Sequence, residues 1–263
     1  MTQNRLSFFI LFMLITPFVQ AQYFATWEIG LQAGGAGYIG DLNQNNPVQV
    51  SGLNGGLFVK RNFNAYLGVR AMYNYGQIKA NDAHSSNEQF RERNLSFKTT
   101  LNEGAAILDF NFFDYSINGG NRRFTPYLFG GVGFVNFKPS VKYDGEKYRL
   151  DYLATEGQSN AYRNTVLTIP FGGGIKYNYK DTWSIFTELG YRTAFTDYLD
   201  DVSGVYPANQ VLVGNPPLNL SDPSLNQTGA PGTQRGDFRK RDTYLFVSVG
   251  ISFTFVSSKC YSF

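Results

Sequence analysis

Apolar and polar residues alternate with a period of two in eight separate stretches of the chain. A period of two places successive side chains on opposite faces of a β-strand, whereas an amphipathic helix repeats every three to four residues. The stretches therefore predict eight strands, at residues 27–38, 53–61, 65–75, 99–112, 127–137, 166–179, 183–192 and 243–255.

The connections between these strands alternate in length. Three are short or modest and would share one end of the sheet, at residues 62–64, 113–126 and 180–182. Four are long and would share the other end, at residues 39–52, 76–98, 138–165 and 193–242. This alternation is typical of outer-membrane proteins, whose sheets close because hydrocarbon cannot satisfy an unpaired strand edge. We expect an all-β fold, an eight-stranded antiparallel transmembrane β-barrel with short periplasmic turns and long extracellular loops.

Eight charged residues within these strands lie opposite the apolar face. They comprise four acidic and four basic side chains: Glu28, Lys60, Arg70, Glu103, Asp109, Lys176, Glu188 and Arg192. A lysine or arginine in mid-bilayer costs about 2–4 kcal/mol, and several would cancel a typical folding free energy of about 5–15 kcal/mol. We therefore expect these charges inside the barrel, where their equal numbers allow ion pairs.

The interior of an eight-stranded barrel has room only for its own side chains. We therefore expect a filled lumen, which disfavours a water-filled general porin. The alternation does not settle which face of the fifth strand, residues 127–137, points inward.

The N-terminus has the features of a secretory signal peptide. Arg5 precedes an apolar run at residues 6–15, and small residues suit a cleavage site before Gln22. We interpret residues 1–21 as a cleaved signal and residues 22–263 as a single barrel domain integral to the outer membrane. No apolar run of about 18 residues follows the signal, so the sequence predicts no membrane-spanning helix.

Composition adds further constraints. Aromatic residues make up 17% of the chain and charged residues 16%, with 28 glycines, which favours closely packed strands. The net charge of +3 is small, and no stripe of basic and aromatic residues indicates nucleic-acid binding. The one cysteine, Cys260, cannot form an internal disulfide.

The stretch Thr196-Asp-Tyr-Leu-Asp-Asp-Val-Ser203 follows the seventh strand and carries three carboxylates. They could attract calcium, whose protein ligands are oxygens, or they could cap a turn that begins at Thr196. We favour capping and turn formation, since aspartate commonly hydrogen-bonds to nearby backbone in turns.

Little else in the sequence indicates chemistry. The one histidine, His84, lies in a long polar loop without the partners of Ser-His-Asp or zinc sites. Gly35 and Gly40 belong to a G-x-G-x-x-G match, but residues 41–47 cannot form the helix that a dinucleotide site needs. We therefore expect no enzyme activity, no cofactor and no metal site.

The last predicted strand resembles the C-terminal signal by which the barrel assembly machinery recognises outer-membrane barrels. The similarity rests on a polar residue, a glycine and two alternate aromatics: Ser248, Gly250, Phe253 and Phe255. Residues 256–263 form a tail beyond the point at which such signals usually end.

Three motifs resemble those of the PorG-like outer-membrane barrels of Bacteroidetes, which are associated with type IX protein secretion. They are the segment at residues 27–43, the segment at residues 234–246, and the loop motif of Thr196, Asp197, Tyr198, Leu199, Asp200 and Asp201. The resemblance implies a non-enzymatic accessory or assembly component. It would contact a periplasmic ring of the PorK lipoprotein and PorN through its short turns and the tail after Phe255.

Alternatives to a secretion role remain open. The chain could be a small OmpA-like outer-membrane protein that stabilises the envelope or binds ligands through its loops, or it could be a narrow pore. An envelope enzyme is least favoured, because no nucleophile with an adjacent base is apparent. In each case we expect the outer-membrane lipids to be partners.

Overall fold

Eight long strands dominate the computed structural model, which describes residues 25–115, 122–160, 162–180, 182–224, 226–237 and 239–255. The strands are β1 (Thr26–Ile39), β2 (Val50–Asn62), β3 (Leu67–Asn81), β4 (Ser96–Asn111), β5 (Phe124–Tyr143), β7 (Thr165–Lys180), β8 (Trp183–Ala194) and β11 (Thr243–Phe255). The predicted signal peptide, Cys260 and the tail at residues 256–263 lie outside the described residues.

The remaining elements are small. The strand β6 (Glu146–Arg149) pairs with the end of β5, and β9 (Leu212–Val213) pairs with β10 (Leu218–Asn219). Helical turns occur in the loops, as the α-helix α1 (Glu88–Arg93) and the 3₁₀ turns Asp82–His84 and Leu150–Tyr152. In the described part of the chain, no helix is both long enough and apolar enough to cross a bilayer.

The eight long strands form one closed antiparallel barrel. They pair in the order β4-β3-β2-β1-β11-β8-β7-β5, and β4 also pairs with β5, which closes the cylinder. At the seam between the first and last strands, Leu31 lies opposite Ile251. Closure leaves none of these strands with a free edge along the sheet. The predicted fold class and the eight predicted strands are confirmed.

The two ends of the barrel differ in the lengths of their connections. The short-turn end carries the connections at residues 63–66, 112–123 and 181–182. The long-loop end carries those at residues 40–49, 82–95, 144–164 and 195–242, whose described residues we call the cap. The strand β5 turns into β6 at Asp144 and Gly145, whose positive φ angles of 50° and 77° suit a tight Asp-Gly hairpin.

Several strands extend further towards the long-loop end than the sequence pattern predicted. The strand β3 continues to Asn81 and β5 to Tyr143. Towards this end the alternation is reversed, because Ile78 and Phe137 are buried inside while Lys79 and Lys138 are exposed outside. A strand predicted from apolar residues on its outer face therefore ends before the real strand does.

Through the rest of the barrel the outer face is apolar. Its exposed side chains include Leu31, Leu57, Val69, Leu108, Ile175, Ile185, Leu189, Val249 and Ile251. The orientation of β5, which the sequence left open, is now defined. Tyr127 and Phe129 point into the barrel and are buried, whereas Leu128 and Phe134 are exposed outside.

Candidate functional site

The eight charged side chains expected inside the barrel are all buried there, and each takes part in an ion pair. Lys176 Nζ lies 2.7 Å from Glu28 Oε1, which joins β7 to β1. Lys60 Nζ lies 2.9 Å from Asp109 Oδ2, which joins β2 to β4. Because neither pair of strands is adjacent in the sheet, these contacts cross the lumen.

Arg70 lies at the centre of this ionic layer. Its Nη1 is 2.9 Å from Glu188 Oε2 and its Nη2 is 3.2 Å from Asp109 Oδ1. The Tyr127 hydroxyl donates to Glu188 Oε2 at 3.1 Å, and the guanidinium lies 5.3 Å from the centre of the Phe58 ring. A cavity of only about 10 Å³ remains among these groups, which is at the lower limit for a single water.

A second polar layer surrounds Glu103. Its carboxylate accepts hydrogen bonds from Asn74 Nδ2, at 2.8 Å, and from the Tyr244 hydroxyl. Arg192 Nε lies 3.4 Å from Glu103 Oε2, and Gln32 Nε2 donates to Asn74 Oδ1 at 2.9 Å. Polar groups thus continue across the lumen as a connected network, which leaves them largely shielded from water.

Apolar side chains close the long-loop end of the lumen. We call this set the apolar plug: Ala36, Tyr38, Leu42, Ile78, Leu95, Phe97, Leu101, Val135, Phe137, Leu150, Ala194, Leu199, Val202, Leu220, Tyr244 and Phe246. Leu199, from the 196–203 motif, has no exposed surface. Its carbonyl accepts a hydrogen bond from the Thr99 hydroxyl, and its N–H donates to Asp242 Oδ2 at 2.9 Å. The loop motif therefore inserts into the mouth of the barrel.

Side-chain hydrogen bonds to the backbone shape the motif. The Tyr198 N–H donates to Thr196 Oγ1 at 3.2 Å, and the Val202 N–H donates to Asp200 Oδ1 at 2.9 Å. Such bonds stabilise turns. Asp201 has a left-handed φ of 68°, and its Oδ1 accepts from a tyrosine hydroxyl at 2.7 Å. Thr196 and Asp200 thus make the turn contacts expected from the sequence.

Two carboxylates of the motif meet two others from different parts of the cap. Asp41, Asp197 and Asp242 each place one carboxylate oxygen within 4.8 Å of the others. Asp200 is close enough to act on Asp41 electrostatically, and it accepts a hydrogen bond from the Tyr38 hydroxyl. We call Asp41, Asp197, Asp200 and Asp242 the aspartate cluster.

Burial raises the pKa of every carboxyl in the cluster, and the neighbouring negative charges raise it further. The pKa values of Asp41 and Asp197 are both about 7. Those of Asp200 and Asp242 are also well above the usual range. The carboxyls of the cluster therefore hold protons at pH values at which an ordinary aspartate has lost its own.

Sequence reasoning identified Asp197 and Asp200 but missed Asp41 and Asp242. The missed signal lies in the order of the strands. Asp41 follows β1, Asp197 follows β8 and Asp242 precedes β11, and these three strands are neighbours at the seam. In the register of the seam, Thr243 lies opposite Ile39 and Thr193. This strand order places the ends of β1, β11 and β8 side by side, so residues just beyond them can meet.

The residues of the expected C-terminal signal have packing roles in the folded barrel. Ser248 points inward and accepts a hydrogen bond from Asn54 Nδ2 at 2.9 Å. A Cβ at Gly250 would clash with the inward-facing ring of Phe186. Phe253 and Phe255 lie on the outer face with ring centres 5.1 Å apart. Recognition of this strand by the barrel assembly machinery stays a prediction.

An open cleft of about 950 Å³ lies between loops at the long-loop end. Most of its lining residues are of polar types, among them Asn43, Asn46, Ser85, Lys98 and His84. His84 is exposed, as the sequence indicated. The cleft opens at the cap, where a soluble ligand could enter it.

Comparison with known proteins gives one family and a set of distant structures. A family model described as "Domain of unknown function (DUF6089)" matches residues 4–263. No curated protein matches the chain. Neisserial surface protein A is 12% identical over 88% of this chain and 99% of its own, with a TM-score of 0.45.

Two further solved structures give similar values. A major outer membrane protein from Thermus thermophilus is 12% identical over 88% of this chain and 99% of its own, with a TM-score of 0.44. OprG from Pseudomonas aeruginosa is 11% identical over 90% of this chain and 99% of its own, with a TM-score of 0.41.

Proposed function

We propose that this chain, which belongs to the DUF6089 family, is an integral outer-membrane barrel that serves as a closed, non-enzymatic scaffold. One observation carries the proposal: ionic, polar and apolar side chains fill the described lumen from one end to the other. A lumen filled in this way excludes solutes, so the turns, the loops and the outer face are the surfaces available for function.

The outer face supports placement in a bilayer. Exposed aromatic side chains surround the short-turn end: Trp27, Phe63, Tyr66, Phe112, Phe124, Tyr179, Trp183 and Phe255. Aromatic residues of this kind prefer the membrane–water interface. At the other end the outward positions change to the exposed lysines Lys79, Lys98, Lys138 and Lys142, which suit anionic headgroups. The apolar band between them would lie in hydrocarbon, with the short turns in the periplasm and the cap outside.

Planar-bilayer recording tests the closed lumen. We expect no reproducible conductance from the folded protein under conditions in which an open porin, reconstituted in parallel, conducts. Heat-dependent gel migration and flotation with liposomes would establish that the same sample is folded and inserted. Reproducible channels from such a sample would contradict the proposal and favour the narrow pore.

The resemblance to PorG-like barrels supports a narrower proposal, in which the scaffold is an accessory or assembly component of type IX secretion. The short-turn end would then anchor the periplasmic ring of PorK and PorN. Phe63, which lies in a short turn and is 52% exposed, is well placed for such a contact.

Site-specific photo-crosslinking in cells tests this contact. We expect a crosslinker at Phe63 to capture PorK-like or PorN-like proteins, whereas the same group at the exposed cap residue Asp144 captures neither. Deletion of the gene should also impair ring assembly and the release of secreted cargo. Normal secretion and an intact ring in the deletion strain would contradict the secretion role and leave the scaffold proposal standing.

The open cleft favours a second candidate function, which is ligand binding by the cap. Its polar lining and its lysines suit an acidic or hydroxyl-rich ligand better than an apolar one. Screening the folded protein against acidic glycans tests this function. We expect substitution of Lys98 by alanine to weaken the binding of a ligand that occupies the cleft. The same substitution of Lys180, at the short-turn end, should leave that binding unchanged.

A further inference from the structure

Buried carboxyl groups outnumber buried cationic side chains in the cap and at its junctions with the strands. The described residues there include eight buried aspartates: Asp41, Asp82, Asp151, Asp197, Asp200, Asp201, Asp222 and Asp242. The only buried cation in the same described segments is Arg235. Most of these aspartates therefore need a partner other than a buried cation.

Several of these carboxylates have cationic partners. Asp82 Oδ2 lies 2.7 Å from Arg93 Nε, and Asp151 pairs with Arg149. In contrast, no lysine or arginine among the described residues forms an ion pair within 4.0 Å of any member of the aspartate cluster. The carboxyls of the cluster thus lack the cationic partners that Asp82 and Asp151 have.

Three oxygens of the cluster also lack hydrogen bonds. Asp41 Oδ2, Asp197 Oδ1 and Asp242 Oδ1 are buried and have no donor among the described residues. Asp41 and Asp242 are each only 1% exposed, so bulk water does not supply the missing bonds. Leaving a buried acceptor unpaired costs about 1–3 kcal/mol, and more when the group is charged. Three such costs at one place indicate that a bound group satisfies these oxygens.

The geometry suits a hard divalent cation. Calcium binds oxygens at about 2.3–2.6 Å, so two ligands on opposite sides of one ion are about 5 Å apart. The carboxylate oxygens of Asp41, Asp197 and Asp242 lie within 4.8 Å of one another. The donors are all oxygens, which disfavours softer metals that prefer nitrogen or sulfur. A Cβ at Gly40 would clash with Asp242 Oδ1, so the absence of a side chain there keeps the space beside this oxygen open.

We propose that Asp41, Asp197 and Asp242 bind one calcium ion at the base of the cap. Asp200 would lie beside the site without binding the ion, and waters would complete the coordination. From the sequence we expected no metal site, and the prediction that the carboxylates at residues 196–203 only cap a turn did not include Asp41 or Asp242.

The ion would tie the two ends of the 195–242 connection to the loop that follows β1. This connection carries Leu199 into the barrel mouth, where its N–H donates to Asp242 Oδ2. A ligand of the ion thus also holds the apolar plug. Calcium would therefore stabilise the closed form of the cap, and its removal would loosen the cap while leaving the barrel intact.

Calorimetry on the folded mature protein in detergent, stripped with chelator and then dialysed, tests the proposal. We expect one calcium ion per chain, weaker binding of magnesium, and slower proteolysis of the 195–242 connection when calcium is present. The weakest extracellular calcium sites have dissociation constants of about 1 mM. An absence of saturable binding up to about 10 mM calcium would overturn the proposal. A cluster held together by shared protons alone would give that result.

Matched variants locate the ion. We expect Asp41→Asn and Asp242→Asn each to weaken calcium binding by about tenfold or more, and Asp144→Asn, the same change at an exposed turn, to leave it unaltered. Gly40→Ala keeps every carboxylate and should also weaken binding.

Heat-dependent gel migration would establish that each variant is folded. If both buried variants misfold, Asp197→Asn, at the least buried ligand, decides the question. Calcium binding that persists unchanged in the folded variants would place the ion elsewhere and overturn the assignment.

Discussion

Inside the barrel, four buried carboxylates meet four buried cations, whereas the cap holds eight buried aspartates and one buried arginine. The interior charges lie on strands, whose register sets each partner at a fixed distance. The cap charges come from loops that meet only after the barrel has closed. The comparison indicates that the interior charges neutralise one another, whereas the carboxyls of the cap need protons or a cation from the surrounding solution.

The largest effect is expected from breaking the balance inside the barrel. Arg70→Met would leave Glu188 without its ion-pair partner and Asp109 with Lys60 alone. Removal of one partner from a buried ion pair costs about 3–5 kcal/mol, because the remaining charge stays buried. Urea unfolding in detergent, followed by heat-dependent gel migration, would measure the loss.

Arg61→Met is the matched control for this prediction. Arg61 neighbours Lys60 in β2 but is only partly buried, and its guanidinium lies 5.0 Å from the Trp27 ring. We expect a change of less than about 1 kcal/mol, because exposed charges contribute little. Equal losses in the two variants would mean that the interior network adds no particular stability.

The interior was predictable because strand geometry is local. A period of two assigns each charged residue to one face, and the cost of charge in lipid decides which face points inward. The eight interior charges therefore followed from the sequence. The orientation of β5 did not, because Gly130, Gly131 and Gly133 remove the side chains that would mark its faces. Packing of Tyr127 and Phe129 inside the barrel decides it.

The next largest effect is expected in the cap, from loss of its apolar anchor. Leu199→Ala removes a fully buried side chain from the apolar plug, and such changes cost about 2–5 kcal/mol. We expect the cost to appear as faster proteolysis of the 195–242 connection, with the urea midpoint of the barrel almost unchanged. A large drop in that midpoint would show instead that cap and barrel unfold as one unit.

A smaller effect is expected from the coupling between the two charges of one interior ion pair. Glu28→Gln and Lys176→Met each leave one charge of a 2.7 Å pair without its partner, whereas the double variant removes both. We expect the double variant to lose less stability than the sum of the two single variants, with a coupling energy of about 1–3 kcal/mol. Strict additivity in urea unfolding would mean that the pair interacts only weakly across the lumen.

The cap was harder to predict because its contacts join residues far apart in sequence. The sequence indicated that the 196–203 motif could form turns or attract calcium. It did not indicate which residues elsewhere in the chain would contact the motif. Asp41 and Asp242 become partners only when β1 pairs with β11. The reversed alternation at the strand ends hid the apolar plug for a similar reason, since the sequence pattern assumed lipid outside every strand.

The smallest effect concerns Asp200, which lies beside the proposed ligands without being one of them. Burial and neighbouring carboxylates raise its pKa, so the folded cap keeps this proton at pH values at which the unfolded chain has released it. The stability of the cap should therefore fall as the pH rises above about 4, the usual pKa of an aspartate. Asp200→Asn removes this contribution, because the amide stays neutral.

With chelator present, we expect the Asp200→Asn cap and the parent cap to be nearly equal in stability at pH 4. At pH 8 the variant should be more stable, because its amide is neutral without taking up a proton from solution. The gain should be about 1.4 kcal/mol for each pH unit over which the parent cap keeps the proton and the unfolded chain does not. Hydrogen exchange, corrected for intrinsic rates, gives the free energy of opening of the 195–242 connection and would measure this gain. If the variant loses stability with rising pH as steeply as the parent does, Asp200 is not a source of the pH dependence. The pH dependence of the cap would then come from Asp41, Asp197 and Asp242 alone.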